Sequence, residues 1–421
     1  MDVLVVSPFL PCPNAMAGAP RAIFDRIALL AMDHAVTVAT LANPAERASM
    51  VELTRLGVAL TAVIRHPEGN GMARWRKRLR LAIGSAGDPQ PMLVQEFWSP
   101  GMCRVLQRIS SRRTFDAVLV EHLLAAQYIR CLVGPSASRV IVTDHDVRGA
   151  FPGHPPPLRG QPGMLPWPIR FLDHRKWTGY ARWAYRRAAL VTVPTDDDAA
   201  VITDEVPSGR LVVVPFGLHL PKDAAATSDV EVPPPAMLPE SSVLFVGNFD
   251  HAPNRDAAAW LCTAIMPRVW RRHPTATLWL VGRNPTPEVR GLAGARVIVT
   301  GEVSSVRDYL CTATVFAAPL RHGGGIRMKT LEALAAGAPI VTTTVGAQGL
   351  GARPGEQLLI ADDPEDIGDA IVRVLRDPEL RARLATAGLA LVSDGQARVR
   401  QARALDRALQ RVAADGVPHD R

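Results

Sequence analysis

Cysteine is sparse in this 421-residue chain, and Cys12, Cys103, Cys131, Cys262 and Cys311 are scattered, odd in number and without metal-ligand spacing. Neither a disulfide nor a zinc site is expected. Aromatic residues contribute only 5% against 48% apolar residues overall, so the core is expected to be built mainly of alanine and valine. No apolar run approaches the ~18 residues needed to span a bilayer, and no internal repeat or low-complexity tract is visible. The opening residues, Met1 to Pro8, carry an early acid and no basic leader. They read as a first strand and not as a signal peptide, which places the protein in the cytoplasm. The length exceeds one ordinary core and suits two domains of about 200 residues each.

What the chain does have is positive charge, with a formal net charge of +8. One basic cluster runs from Arg74 to Arg80 around Trp75, and a second from Arg170 through His174, Arg175, Lys176 and Arg182 to Arg187. In the second, Trp177, Tyr180, Ala181, Ala184 and Ala188 fall on one helical stripe, which leaves the arginines on the other faces. Two readings stand: a solvated helix packed through its aromatics, or a peripheral contact with the inner face of a membrane. Nucleic acid is not expected as a partner, because no binding motif accompanies the charge.

Short apolar runs alternate with helical stretches through both halves, the pattern of doubly wound α/β domains with parallel sheets. In the first half the runs are Asp2 to Val6, Val36 to Thr40, Val58 to Ile64, Ala117 to Val120, Val140 to Thr143, Leu190 to Val193 and Leu211 to Val214. A loop from Pro8 to Pro20, containing Gly18, leads to a helix expected near Arg21. His145 and the pair Glu121-His122 follow strands at their carboxyl ends, where such sheets present ligands. Thr195 and the acids Asp196, Asp197 and Asp198 read as a helix cap, not a metal site. Leu220 to Glu240 holds five prolines, Pro221, Pro233, Pro234, Pro235 and Pro239, and reads as a linker. The second half offers Val243 to Val246, Thr277 to Val281, Val297 to Thr300, Thr314 to Ala318 and Pro339 to Thr344 as strands, with helices over Asp363 to Leu375, Pro378 to Ala387 and Gln396 to Ala414. The expected organisation is therefore a first domain over 1–219, a linker over 220–240, a second domain over 241–395 and a final helical segment over 396–421.

The segment Pro319 to Leu350 carries the most chemistry. Gly323, Gly324 and Gly325 allow the backbone to approach a ligand closely, and the helix that follows directs its dipole at an anion. Arg327 and Lys329 add full positive charges beside it. Glu332 would repel a phosphate, so a pair of hydroxyls such as those of a ribose suits it better.

This segment resembles the donor-binding signature of glycosyltransferase family four, retaining enzymes of the GT-B fold, two Rossmann-like doubly wound domains facing across a cleft. Glu332 matches the second of the family's two glutamates, the one that holds the donor ribose. The first falls on Gly324, and a recognised subset carries glycine there together with a lysine matching Lys329. The resemblance implies a donor site built from Gly247, Asn248, Arg255, Gly282, Arg283, Gly301, Val303, His322, Gly323, Gly324, Gly325, Ile326 and Glu332, with Gly18 approaching from the first domain. His145 matches the family's strand-then-histidine motif and is implied to support the donor sugar and the transition state, with Arg327 and Lys329 on the leaving diphosphate. The last helix is implied to pack back on the first domain.

The implied reaction is transfer of a hexosyl group, with retained anomeric configuration, from a UDP- or GDP-linked sugar to a saccharide, lipid-linked or small-molecule acceptor. No cofactor and no metal are expected. Two alternatives stay open: a nucleotide-sugar epimerase of the same fold, and a catalytically silent subunit that binds a nucleotide sugar beside an active partner.

Overall fold

The structure, a computed structural model, describes residues 1–13, 18–65, 89–147, 167–216, 238–322, 327–393 and 396–415. The Arg74 to Arg80 cluster, most of the proline-rich linker, and Gly323, Gly324, Gly325 and Ile326 lie outside these residues. The described residues form two compact units.

The first unit is built on strands β1 (Asp2–Ser7), β2 (Ala35–Ala42), β3 (Ala59–Ile64), β4 (Ala117–Glu121), β5 (Val140–Thr143), β6 (Leu190–Val193) and β7 (Leu211–Val213). They pair in parallel in the order β3-β2-β1-β4-β5-β6-β7. Both faces are covered, which is why the strands read as unbroken apolar runs. Alternate side chains of β1 serve opposite layers. Val3 and Val5 pack with Ile23 and Ile27 of the helix Gly18–Leu30, whereas Leu4 and Val6 share a core with Tyr180 and Tyr185. In the helix Trp167–Arg187, Trp177, Tyr180, Ala181 and Ala184 are buried, while Arg182, Arg186 and Arg187 are exposed.

The helix Gln396–Asp415 also belongs here. Ala404, Leu405, Ala408, Leu409 and Val412, spaced as one helical face, enter the same core layer as Val3 and Ile23. His34 meets Asp406 at 3.1 Å, and Arg411 donates to the Gly209 carbonyl at 2.6 Å.

The second unit holds β8 (Ser242–Val246), β9 (Thr277–Val281), β10 (Val297–Gly301), β11 (Val315–Ala318), β12 (Ile340–Thr342) and β13 (Leu359–Ile360), parallel in the order β10-β9-β8-β11-β12-β13. In each unit the strand order reverses beside the first strand, between β1 and β4 and between β8 and β11. The carboxyl ends there are the natural ligand positions of a doubly wound sheet.

Three expectations need correction. The helix already includes Gly18, ahead of Arg21, so Gly18 is an exposed helical residue rather than part of a loop. Strand β12 stops at Thr342, because Thr343 turns to cap the helix Thr344–Ala347 by accepting from the Gly346 N–H at 3.0 Å. Cys103 and Cys131 form a disulfide, with Cα atoms 5.2 Å apart. Their spacing of 28 residues carries no local signal; the helix Pro100–Arg112 and the 3₁₀ turn Gln127–Cys131 bring them together.

Candidate functional site

In the second unit, three strand ends meet. The Gly247 N–H donates to the Val281 carbonyl at 3.0 Å, and the Gly282 N–H to the Gly301 carbonyl at 3.0 Å. Gly282 has φ of +145°, and a Cβ there would lie 1.8 Å from the Gly247 oxygen, so only glycine fits. The turns beyond are joined by the Phe249 N–H on the Arg283 carbonyl at 3.0 Å and Asn284 on Asp250 at 2.7 Å. Val303 is buried next to this edge.

The helix Met328–Ala335 lies at the other side of the switch point. Of its eight residues, all are buried except Lys329 and Glu332. These two stand three positions apart, hence on one face. Thr330 ties the helix to the Gly346 carbonyl at 3.1 Å, and Arg327, just before it, donates to the Val345 carbonyl at 3.2 Å.

Lys329 is linked to the glycine turn through a residue not singled out from sequence. Its Nζ donates to Asn254 Oδ1 at 2.6 Å and sits 4.4 Å from the centre of the Phe245 ring. Asn254 in turn donates to the Asn248 carbonyl at 2.8 Å. Burial, then the neighbouring Arg327, pushes the ammonium down to about 7, against the pull of Glu332. A site that adds an anion would restore its charge.

Other residues of the expected donor site fall differently. The Arg255 guanidinium donates to the carbonyls of Phe249 at 2.9 Å and Asp250 at 2.8 Å, so it closes its own loop. Asn248 Oδ1 accepts from the Asp250 N–H at 3.1 Å. Arg283 has a buried Nε without a hydrogen-bond partner among the described residues. His322 is exposed.

In the first unit, His145 follows β5 and its Nε2 lies 2.7 Å from Glu121 Oε2. Glu121 ends β4 wholly buried, and Arg26 reaches its other oxygen at 3.1 Å. Arg26 also donates to Thr143 Oγ1 at 2.9 Å. Burial alone would raise the Glu121 carboxyl, but Arg26 and then His145 outweigh it and hold it below the ordinary range. His122 turns the chain at φ of +75° and caps the next helix by accepting from the Leu124 N–H at 3.2 Å. Asp144 accepts from Tyr185 at 2.6 Å, and its burial pushes its carboxyl up to about 7. Thr195 caps the helix Asp196–Ile202 as expected. Arg26 was not foreseen. Its signal was an arginine on the apolar face shared by Ile23, Ile27 and Leu30.

Residues 240–377 match the family of group 1 glycosyl transferases. The second unit is thus similar to group 1 glycosyl transferases over that stretch.

Among curated relatives, the phosphatidyl-myo-inositol mannosyltransferase of Mycobacterium tuberculosis is 32% identical over 166 residues, 36% of this chain and 42% of the relative. An uncharacterised 44.6 kDa protein from the cps region of Klebsiella pneumoniae is 29% identical over 134 residues, 29% of this chain and 34% of that protein. The chain therefore spans less than half the length of these relatives. Solved structures show the same fold across both units. Sucrose-phosphate synthase from Thermosynechococcus elongatus has a TM-score of 0.66 at 17% identity, covering 97% of this chain and 99% of that one. Anabaena HepE, solved in complex with UDP-glucose, has a TM-score of 0.61 at 13% identity, covering 97% and 99%. The fold class is GT-B, two parallel-sheet α/β domains. Among the described residues, no helix is long and apolar enough to cross a membrane.

Proposed function

We propose that this chain is a retaining glycosyltransferase that moves a hexosyl group from a nucleoside-diphosphate sugar to a hydroxyl of a saccharide, lipid-linked or small-molecule acceptor in glycoconjugate biosynthesis. The observation that carries the reading is the helix Met328–Ala335. Inside the family match it buries every residue but Lys329 and Glu332, the cation suited to a diphosphate and the carboxylate suited to a ribose. Arg327 stands at the start of that helix, where the dipole also favours an anion.

In this reading the leaving diphosphate is stabilised by Arg327, Lys329 and the helix end, without a metal. The strand ends at Gly247, Gly282 and Gly301 receive the nucleoside, with Arg283 and Val303 beside them. The acceptor hydroxyl attacks from the leaving-group side, and the departing phosphate takes its proton. His145 supports the transferred sugar. UDP is the first nucleotide to test because HepE was solved with UDP-glucose, and GDP is the second.

The test is a melting series with UDP, GDP, ADP and TDP on the wild type, Lys329→Ala and Glu332→Ala. A ligand at 100 times its dissociation constant stabilises a one-site protein by ~2.7 kcal/mol. A shift with one nucleotide, lost in both variants, is expected. Unchanged melting with all four would reject the donor site, whereas binding without transfer to any acceptor would favour a silent subunit.

A further inference from the structure

The buried group Arg26, Glu121 and His145 does more than fill the first unit. Side-chain exposure is 1% for Arg26, 0% for Glu121 and 6% for His145. Each carboxylate oxygen of Glu121 has one partner: Oε1 faces Arg26 Nη1 at 3.1 Å, and Oε2 faces His145 Nε2 at 2.7 Å. An ionised carboxylate only accepts hydrogen bonds, so Nε2 must carry the hydrogen. A bare ring nitrogen at that distance would set two lone pairs against each other inside a dry core.

We infer that Glu121 is a positioning residue that holds the imidazole proton of His145 on Nε2 and leaves Nδ1 as the acceptor of the neutral ring. No described residue hydrogen-bonds to Nδ1. The ring plane is set as well. His122 stacks on it with centroids 5.7 Å apart and planes 21° apart, and Phe216 lies 5.1 Å away on a tilted plane. The backbone supports the arrangement, since Glu121 and Thr143 are register partners and the His122 N–H donates to the Thr143 carbonyl at 2.9 Å. His122 does so in a left-handed conformation that is costly for a residue with a side chain.

Arg26 makes the assignment testable. In Glu121→Gln the amide is nearly isosteric, but a guanidinium only donates, so the amide oxygen must face Arg26. Its NH₂ then faces His145 and donates to Nε2. The ring proton is driven to Nδ1. A Gln that merely filled space would leave the ring unaltered.

The bearing of this on transfer rests on the glycosyltransferase reading above, so the readout is chosen to be independent of turnover. Ring ¹⁵N–¹H correlation spectra of histidine-labelled protein, with His145 assigned by its loss in His145→Gln, report which nitrogen is protonated. They are recorded at about pH 8.5, where an ordinary imidazole is neutral. The wild type is expected to show Nε2–H, Glu121→Gln to show Nδ1–H, and Arg26→Met with Glu121→Gln to return to Nε2–H as the amide turns over. A wild-type ring protonated on Nδ1, or a Glu121→Gln ring still protonated on Nε2, overturns the inference. Should Glu121→Gln not fold, the wild-type spectrum decides alone. In transfer assays, Glu121→Gln is expected to lower kcat on the order of 10- to 100-fold, with nucleotide affinity unchanged. A flipped proton with wild-type kcat would leave the positioning role intact and remove His145 from the reaction.

Discussion

Lys329 donates to Asn254 Oδ1 at 2.6 Å, and through Asn254 the charged helix is joined to the carbonyl of Asn248 in the β8 turn. Asn254 is thus a strut between the two sides of the strand-order reversal. Replacing it by alanine removes a partner from a partly buried ammonium and from a backbone carbonyl, each a loss of about 1–3 kcal/mol. Asn254→Ala is expected to weaken nucleoside-diphosphate binding about tenfold, which is ~1.4 kcal/mol. Calorimetric titration checks this, and unchanged affinity would show that Lys329 needs no such support.

The same lysine predicts a pH dependence. Burial, with Arg327, pushes Lys329 down to about 7, so the free protein holds it partly neutral near that pH. A bound diphosphate favours the charged form, and above pH 7 binding must take up a proton. Affinity is expected to fall with rising pH by up to about tenfold per unit above ~7. Titration in two buffers of different ionisation heat should find proton uptake in the wild type and none in Lys329→Met; pH-independent affinity from acid to alkaline conditions would contradict it.

Asp144 predicts a pH dependence of stability rather than of binding. Its carboxyl is pushed up from 3.8 to about 7 by burial, so the folded state binds its proton more tightly than the unfolded chain. The stabilisation is complete below the unfolded value and is lost as pH rises through about 7. Melting curves of the wild type and Asp144→Asn between these limits should converge on one side and separate on the other, with the variant nearly flat where the wild type declines.

Gly282 is expected to admit no side chain. Its φ of +145° and the Gly247 oxygen 1.8 Å from any Cβ together force the β8 and β9 ends apart on substitution. Gly282→Ala should cost on the order of 2–4 kcal/mol, in the range of strained or overpacked sites. A urea midpoint equal to the wild type would refute the close approach.

Both sheets were legible because strands covered on two faces are apolar throughout, as in Val3 to Val6 and Val243 to Val246. The pair Leu359–Ile360 was not, since two residues carry no period. Lys329 and Glu332 stood out as charges after a glycine cluster in an otherwise apolar helix. Asn254 and Arg26 did not. The first acts across 75 residues through a contact that only the folded sheet creates, and the second finds its partners Glu121 and Thr143 95 and 117 residues away. The Cys103–Cys131 bond was hidden for the same tertiary reason, and thiol titration of the denatured, unreduced protein should find only Cys12, Cys262 and Cys311 reactive.

The helix Gln396–Asp415 completes the layer that begins with Val3, although the whole second unit is encoded between them. A ribosome therefore releases the first unit unfinished, with the apolar face that receives Leu405 and Leu409 still bare. The second unit emerges as an insertion that can close on itself while the first waits. Residues about four hundred positions apart must meet to finish the first unit, the kind of non-local contact that is slow to form. Cutting the chain in the proline-rich stretch would not yield two intact halves, because the amino-terminal piece would lack its own final helix.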